Sequence, residues 1–209
     1  PVLFAPQRTR GVARVIFAIA VLFSAFQVYT SAFAPLSSVV LRALHVSFLM
    51  LLTFAMFPSF IRGGRRDAWL GWVLGAIGVV GGLYQWVFEA DLIQRSGDLT
   101  TADVVVGVAL IVLVFEAARR IMGIALPIIC ASFLAYALFG QYLPGSLAHR
   151  GFGIDQVINQ MSFGTEGIYG IPIYVSSTYI FLFILFGTFL EQAGMIKLFT
   201  DFSLGTVGH

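Results

Sequence analysis

The chain has 209 residues, of which 59% are hydrophobic and only 11% charged, with a formal net charge of +2. A soluble domain carries about 25% charged residues, so this composition excludes an ordinary soluble domain and fits a polytopic membrane protein. Basic residues gather at the ends of apolar segments, as orientation signals do, which gives no support for nucleic acid as a partner.

A helix that crosses a bilayer needs about 20 apolar residues. The uncharged runs Val15–Leu41, Ala68–Phe88, Ile121–Ala148 and Gly167–Leu190 are each long enough. Ala43–Ile61 is interrupted only by His45, and 12 uncharged residues separate Asp103 from Glu116. In chain order, span one covers roughly Val12–Phe33 and follows Arg8, Arg10 and Arg14. Pro35 marks a turn. Span two covers roughly Ser38–Ile61 and ends at Pro58 and the basic loop with Arg62, Arg65 and Arg66. Span three covers roughly Ala68–Phe88. The loop Glu89–Asp103 then holds four acids and one Arg. Span four covers roughly Val104–Ala118, closed by Arg119 and Arg120, and span five roughly Ile121–Phe139. Arg62, Arg65, Arg66, Arg119 and Arg120 read as interface anchors. The Lys and Arg bias puts them, and the N-terminus, on the cytoplasmic side.

Two later stretches are amphipathic rather than spanning. In 154–161, Ile154, Val157, Ile158 and Met161 share one helical face; in 195–204, Met195, Leu198, Phe199 and Phe202 do so. The expected fold is therefore all-α: a polytopic helical bundle in the membrane, with about five to six transmembrane spans plus interfacial helices and a re-entrant hairpin discussed below.

Span three carries Gly71, Gly75, Gly78 and Gly82 at spacings that place all four on one face, a stripe for close helix packing in lipid. Arg42 and His45 share a face near the start of span two. They read either as a buried polar pair in a substrate path or, as preferred here, as an Arg that snorkels to the nearby interface. Glu116 and Arg120 have the spacing and order of a helical ion pair. His45, His149 and His209 lie in different segments, Cys130 is the single cysteine, and no phosphate-binding loop is present. Neither a catalytic cluster nor a metal site nor a cofactor is expected, and the chain does not read as an enzyme.

The stretch 163–183, FGTEGIYGIPIYVSSTYIFLF, combines breakers with hydroxyls where a span begins. Gly167, Gly170 and Pro172 form an expected helix break over Gly170–Thr178. Broken helices in membranes occur where freed backbone groups line a cavity or are buried in protein. Hydroxyls and exposed carbonyls are hard ligands for a Na⁺-like ion, which makes Gly170, Ser176, Ser177 and Thr178 candidate ion ligands at the tip of a re-entrant hairpin. The limbs would be 154–170 and Thr178–Glu191. A Pro-kinked ordinary span, with Ser and Thr bonding back to the preceding turn, remains the alternative.

Residues 110–208 resemble the fused permease of tripartite ATP-independent periplasmic (TRAP) transporters, most of all the TAXI branch. The similar pieces are EAARR at 116–120, GIALPI at 123–128, YLPG at 142–145, AHRG at 148–151, TEGIYGIP at 165–172 and FLFILFGTFLEQAG at 181–194. The earlier spans match more loosely, in their spacing and in the Arg42-x-x-His45 pattern. The resemblance implies that 1–120 is a four-span, small-subunit-like (Q-type) domain. Residues 121–209 would then be the start of the large (M-type) transport subunit, the rest of which lies beyond His209. It further implies a bacterial inner-membrane secondary transporter, with Na⁺ as the coupling ion and an elevator-type movement. A periplasmic solute-binding protein of the TAXI type would deliver an organic acid or similar small solute. A membrane scaffold subunit that transports nothing is the competing expectation.

Overall fold

The computed structural model describes residues 10–33, 36–57, 65–95 and 97–207, and every regular element among them is helical. Helix α1 spans Arg10–Ala32, α2 Ser38–Met56, α3 Arg65–Val87, α4 Glu89–Gln94, α5 Thr101–Met122 and α6 Ala125–Phe139. Helix α7, Ile154–Ile158, continues as a π-helical turn over Asn159–Phe163. Helix α8, Ile171–Val175, passes through a second π turn, Ser176–Ile180, into α9, Phe181–Gln192, and α10 spans Met195–Val207. Among the described residues, six helical segments are long and apolar enough to cross a membrane: Arg10–Ala32, Ser38–Met56, Trp69–Val87, Thr101–Met122, Ala125–Tyr142 and Ile171–Gln192. The chain is a multi-pass, all-α membrane protein.

The tightest packing joins α2 and α3, which run antiparallel. The four glycines of the stripe face α2 in descending order along it. A Cβ on Gly71 would overlap the Phe54 carbonyl, and one on Gly75 would sit 2.9 Å from Leu51 Cδ1. One on Gly78 would sit 2.8 Å from Met50 Sδ, and one on Gly82 would overlap Ser47 Oγ. Small residues let two helix backbones approach this closely in lipid, where contact rather than hydrophobic exclusion holds helices together. Ala43, Val46, Met50 and Phe54 of α2 and Leu110 and Leu113 of α5 then close over Tyr169 in one apolar cluster.

Helix α5 is longer at both ends than its apolar run. Thr100 caps its start: the Asp103 N–H donates to Thr100 Oγ1, while Asp103 accepts from the Thr100 N–H at 2.8 Å and its hydroxyl at 2.7 Å. This reciprocal cap satisfies donors that would otherwise be orphaned. At the other end Gly123, at φ +82°, reverses the chain and donates to the Arg119 carbonyl, a conformation that suits glycine. Glu116 binds both Arg119 and Arg120 at 2.7 Å. Arg120 also donates to the Phe57 carbonyl at 3.0 Å and lies over the Phe54 ring, so it ties the end of α5 to the end of α2. Arg62 lies outside the described residues; Arg65 and Arg66 open α3.

Of the expected apolar face of 154–161, Ile158 is buried, Val157 and Met161 are half-buried and Ile154 is exposed. One extra residue in a turn rotates the following side chains by about 100°. Within the π turn, Ser162 and Phe163 are buried alongside Ile158. They pack on α5 at Gly107, where Ser162 Oγ donates to the Gly107 carbonyl at 2.9 Å.

The expected break also moves. Residues 164–170 are non-helical, but Ile171 to Thr178, which the sequence reading placed in the break, is helical and continuous with α9. Pro172 lies in the first turn of α8, where its missing N–H has no intrahelical partner to lose. It therefore starts this helix rather than interrupting it. Gly167 and Gly170 stay in the turn, with the Gly170 N–H donating to Gly167 O at 3.0 Å.

Candidate functional site

Three elements meet where the α8–α9 helix docks on α1 and α2. The π turn is the reason polar groups collect there. The Phe181 N–H reaches back five residues to Ser176 O, and such a widened turn disturbs the regular carbonyl ladder. Ser177 Oγ and Thr178 Oγ1 both donate to the Tyr174 carbonyl, at 2.9 and 2.8 Å. The Ser177 carbonyl is taken by Gln27 Nε2 of α1. Sidechain amides from a neighbouring helix thus replace what the distorted backbone gives up, as a low-dielectric surrounding demands.

The same amide extends the network into α2. Gln27 Oε1 lies 3.2 Å from His45 Nδ1, and His45 Nε2 lies 3.1 Å from Ser176 Oγ. Gln27 Oε1 can only accept, so Nδ1 carries the proton and the Ser176 hydroxyl donates to Nε2 in the neutral ring. Gln27, His45 and Ser177 are all essentially inaccessible. An aromatic layer covers them, with Phe23 4.8 Å from Phe181 and 5.2 Å from His45 between ring centroids.

Arg42 corrects the snorkelling expectation. Its side chain is buried and turns toward the chain reversal at 164–170. Nη1 donates to the Tyr169 carbonyl at 2.6 Å, Nη2 to Ser38 Oγ at 2.8 Å, and the guanidinium stacks over Tyr174 at 4.7 Å. A turn in which Tyr169 O has no helical donor gives the cation a better partner than the interface does. Tyr169 itself is fully buried, and its hydroxyl has no partner among the described residues. Burial pushes that hydroxyl above the ordinary tyrosine range.

Of the sequence-derived site residues, Ser176 meets His45, Ser177 joins Gln27 through its carbonyl, and Thr178 donates back to Tyr174 O within its own helix. Gly170 caps α8 through its carbonyl, which accepts from Tyr174 N at 3.1 Å, and Gly167 packs on Met161. Gln27 and Tyr169 escaped the sequence reading. Gln27 is the single carboxamide in its apolar run, and an uncompensated amide in a span is a signal for a buried partner. Tyr169 offers no such signal. A second polar tie holds α3 to α5: Asp103, fully buried, accepts from Tyr84 OH at 2.5 Å and pairs with Arg95 at 3.4 Å.

These features define a multi-pass membrane protein whose first helices are locked to a later span by a buried polar junction. Residues 109–209, from the second half of α5 onward, match the family described as the tripartite ATP-independent periplasmic transporter, DctM component. The match covers a little under half of the chain. No curated protein and no solved structure matches.

Proposed function

We propose that this chain is the N-terminal part of a fused TRAP permease of the TAXI branch in a bacterial inner membrane, with its N-terminus cytoplasmic. The observation that carries this reading is the DctM match over 109–209 on a bundle with six membrane-length helices. Residues 1–120 act as the four-span, small-subunit-like (Q-type) domain, and 121–209 begin the large (M-type) transport subunit. The protein is a secondary transporter and not an enzyme. Na⁺ drives uptake of an organic acid or similar small solute that a TAXI-type periplasmic binding protein delivers.

In this reading Gly170, Ser176, Ser177 and Thr178 lie beside a Na⁺ site completed by residues later in the permease. The hydroxyls that donate to Tyr174 O keep lone pairs, and Ser176 and Thr178 are only partly buried. Uptake by cells expressing the full-length gene, with and without the binding protein encoded beside it, tests the assignment. Accumulation should require the binding protein. Equal accumulation without it would remove the TRAP reading.

A scaffold subunit that transports nothing is the second reading. It is favoured by one observation: all three hydroxyls at 176–178 already have partners inside the chain. In the full-length transporter, Ser177→Ala and Thr178→Val should raise the Na⁺ concentration for half-maximal uptake. Unchanged Na⁺ dependence in both would leave these groups as packing contacts.

A further inference from the structure

A cavity of about 750 Å³ opens beside α6, away from the polar junction. Cys130, Phe133, Leu134 and Ala137 form one wall; their i, i+3, i+4, i+7 spacing makes them a single stripe of α6. Gln156, Asn159 and Gln160 of the α7 segment line it too, and Arg150 joins them. Gln156 Oε1 accepts from the Gly153 N–H at 3.2 Å, which leaves its NH₂ group to donate elsewhere.

Arg150 is held in place by a strap that folds back on α6. The Phe152 N–H donates to Ala137 O at 3.0 Å and the His149 N–H to Gly140 O at 3.2 Å. His149 Nε2 donates to Tyr136 O at 2.9 Å, and its Nδ1 accepts from the Gly151 N–H at 3.0 Å. Gly140 has no room for a side chain, because a Cβ there would overlap the His149 ring. Arg150 therefore sits beside the end of the membrane-length segment Ala125–Tyr142, the level at which a bilayer fitted to that span would have its headgroups. It has no hydrogen bond or ion pair with any described residue.

The two kinds of lining select an amphiphile. A small polar solute would leave the α6 stripe bare, and a bare hydrocarbon chain would leave the Arg150 guanidinium and the amide NH₂ groups without partners. We propose that this cavity binds a phospholipid with an anionic headgroup. Its phosphate pairs with the Arg150 guanidinium, its ester oxygens accept from the amides, and an acyl chain follows the α6 stripe. A planar guanidinium suits phosphate oxygens, and a basic side chain near a bilayer surface attracts anionic headgroups. The cavity's chemistry does not depend on what the protein transports.

The test uses the purified full-length protein, titrated with dioleoyl phosphatidylglycerol and followed by native mass spectrometry. Dioleoylglycerol, which lacks the phosphate, and inorganic phosphate are the comparison probes. Arg150→Gln should lower phosphatidylglycerol retention by about five-fold, the scale of one basic side chain at a lipid surface. Phe133→Trp, which narrows the cavity and keeps the charge, should lower it as well, so the outcome does not hinge on one variant folding. Phosphatidylglycerol should also slow maleimide alkylation of Cys130, and neither comparison probe should. Retention unchanged in both variants overturns the proposal. So does equal slowing by dioleoylglycerol, which would make it a chain groove, or by phosphate, which would make it a bare anion site. Absence of any retained lipid would mean that another segment of the permease fills the cavity.

Discussion

Gln27 holds the junction because it answers two groups at once: its NH₂ takes the Ser177 carbonyl and its oxygen takes His45. Replacing it with Leu leaves both unpaired. A lost hydrogen bond between membrane helices averages about 0.6 kcal/mol, with values up to about 1.7, and an abandoned buried group adds about 1–3 kcal/mol. Gln27→Leu should therefore destabilise the protein by about 1–3 kcal/mol in a denaturing-detergent titration; a change too small to detect would mean that the junction is not closed in solution. Tyr169 predicts the opposite sign. Its buried hydroxyl has no partner among the described residues, so Tyr169→Phe should be neutral or stabilising by about 1 kcal/mol. Burial raises the folded pKa of this hydroxyl. The folded protein thus holds the proton where the unfolded chain has released it. The stability tied to that proton is complete below about pH 10, the unfolded tyrosine value, and falls as pH rises beyond it. Tyr169→Phe should shift alkaline unfolding to higher pH, and an unmoved transition would show that the hydroxyl is solvated.

At the scale of helices, the glycine stripe of α3 was readable from spacing alone, because small residues on one face have few other uses in lipid. Gly78→Leu should cost about 1–3 kcal/mol by overpacking against Met50. Gly187→Leu, where a Cβ meets nothing within 4 Å, should melt like the parent. Equal behaviour of the two variants would remove the close α2–α3 crossing. The π turns were not readable. Nothing in NQMSF or SSTYI marks an extra residue per turn, and each turn meets its partner across the bundle, Gly107 for one and Gln27 for the other. The break was read from real helix breakers but drawn too far along the chain. Pro172 acts at a helix start, where its geometry is favourable, and only the residues before it leave the helix. Likewise Arg42 is near a helix start in sequence, yet the Tyr169 carbonyl that draws it inward is 127 residues away.

For the molecule as a whole, hydropathy gave about five to six spans, and six of the described helices have the length and composition to cross, because the bilayer imposes its own length on every helix that crosses it. The contacts between the early and late helices were beyond sequence reasoning, since each rests on one or two polar atoms meeting across helices. The proposed orientation can be read directly. In a Cys130→Ala background, an impermeant thiol reagent on intact cells should label Asp98→Cys in the acidic loop and spare Met122→Cys after Arg119 and Arg120. The reverse pattern would invert the topology. We propose above that this chain belongs to a permease driven by an ion gradient and fed by a binding protein. Reconstituting the full-length protein in vesicles, with its binding protein and labelled solute outside, tests it most directly. An inward Na⁺ gradient should drive accumulation in the absence of ATP, and collapsing the gradient should abolish it. Accumulation that persists without the gradient, or that needs ATP, would contradict the account.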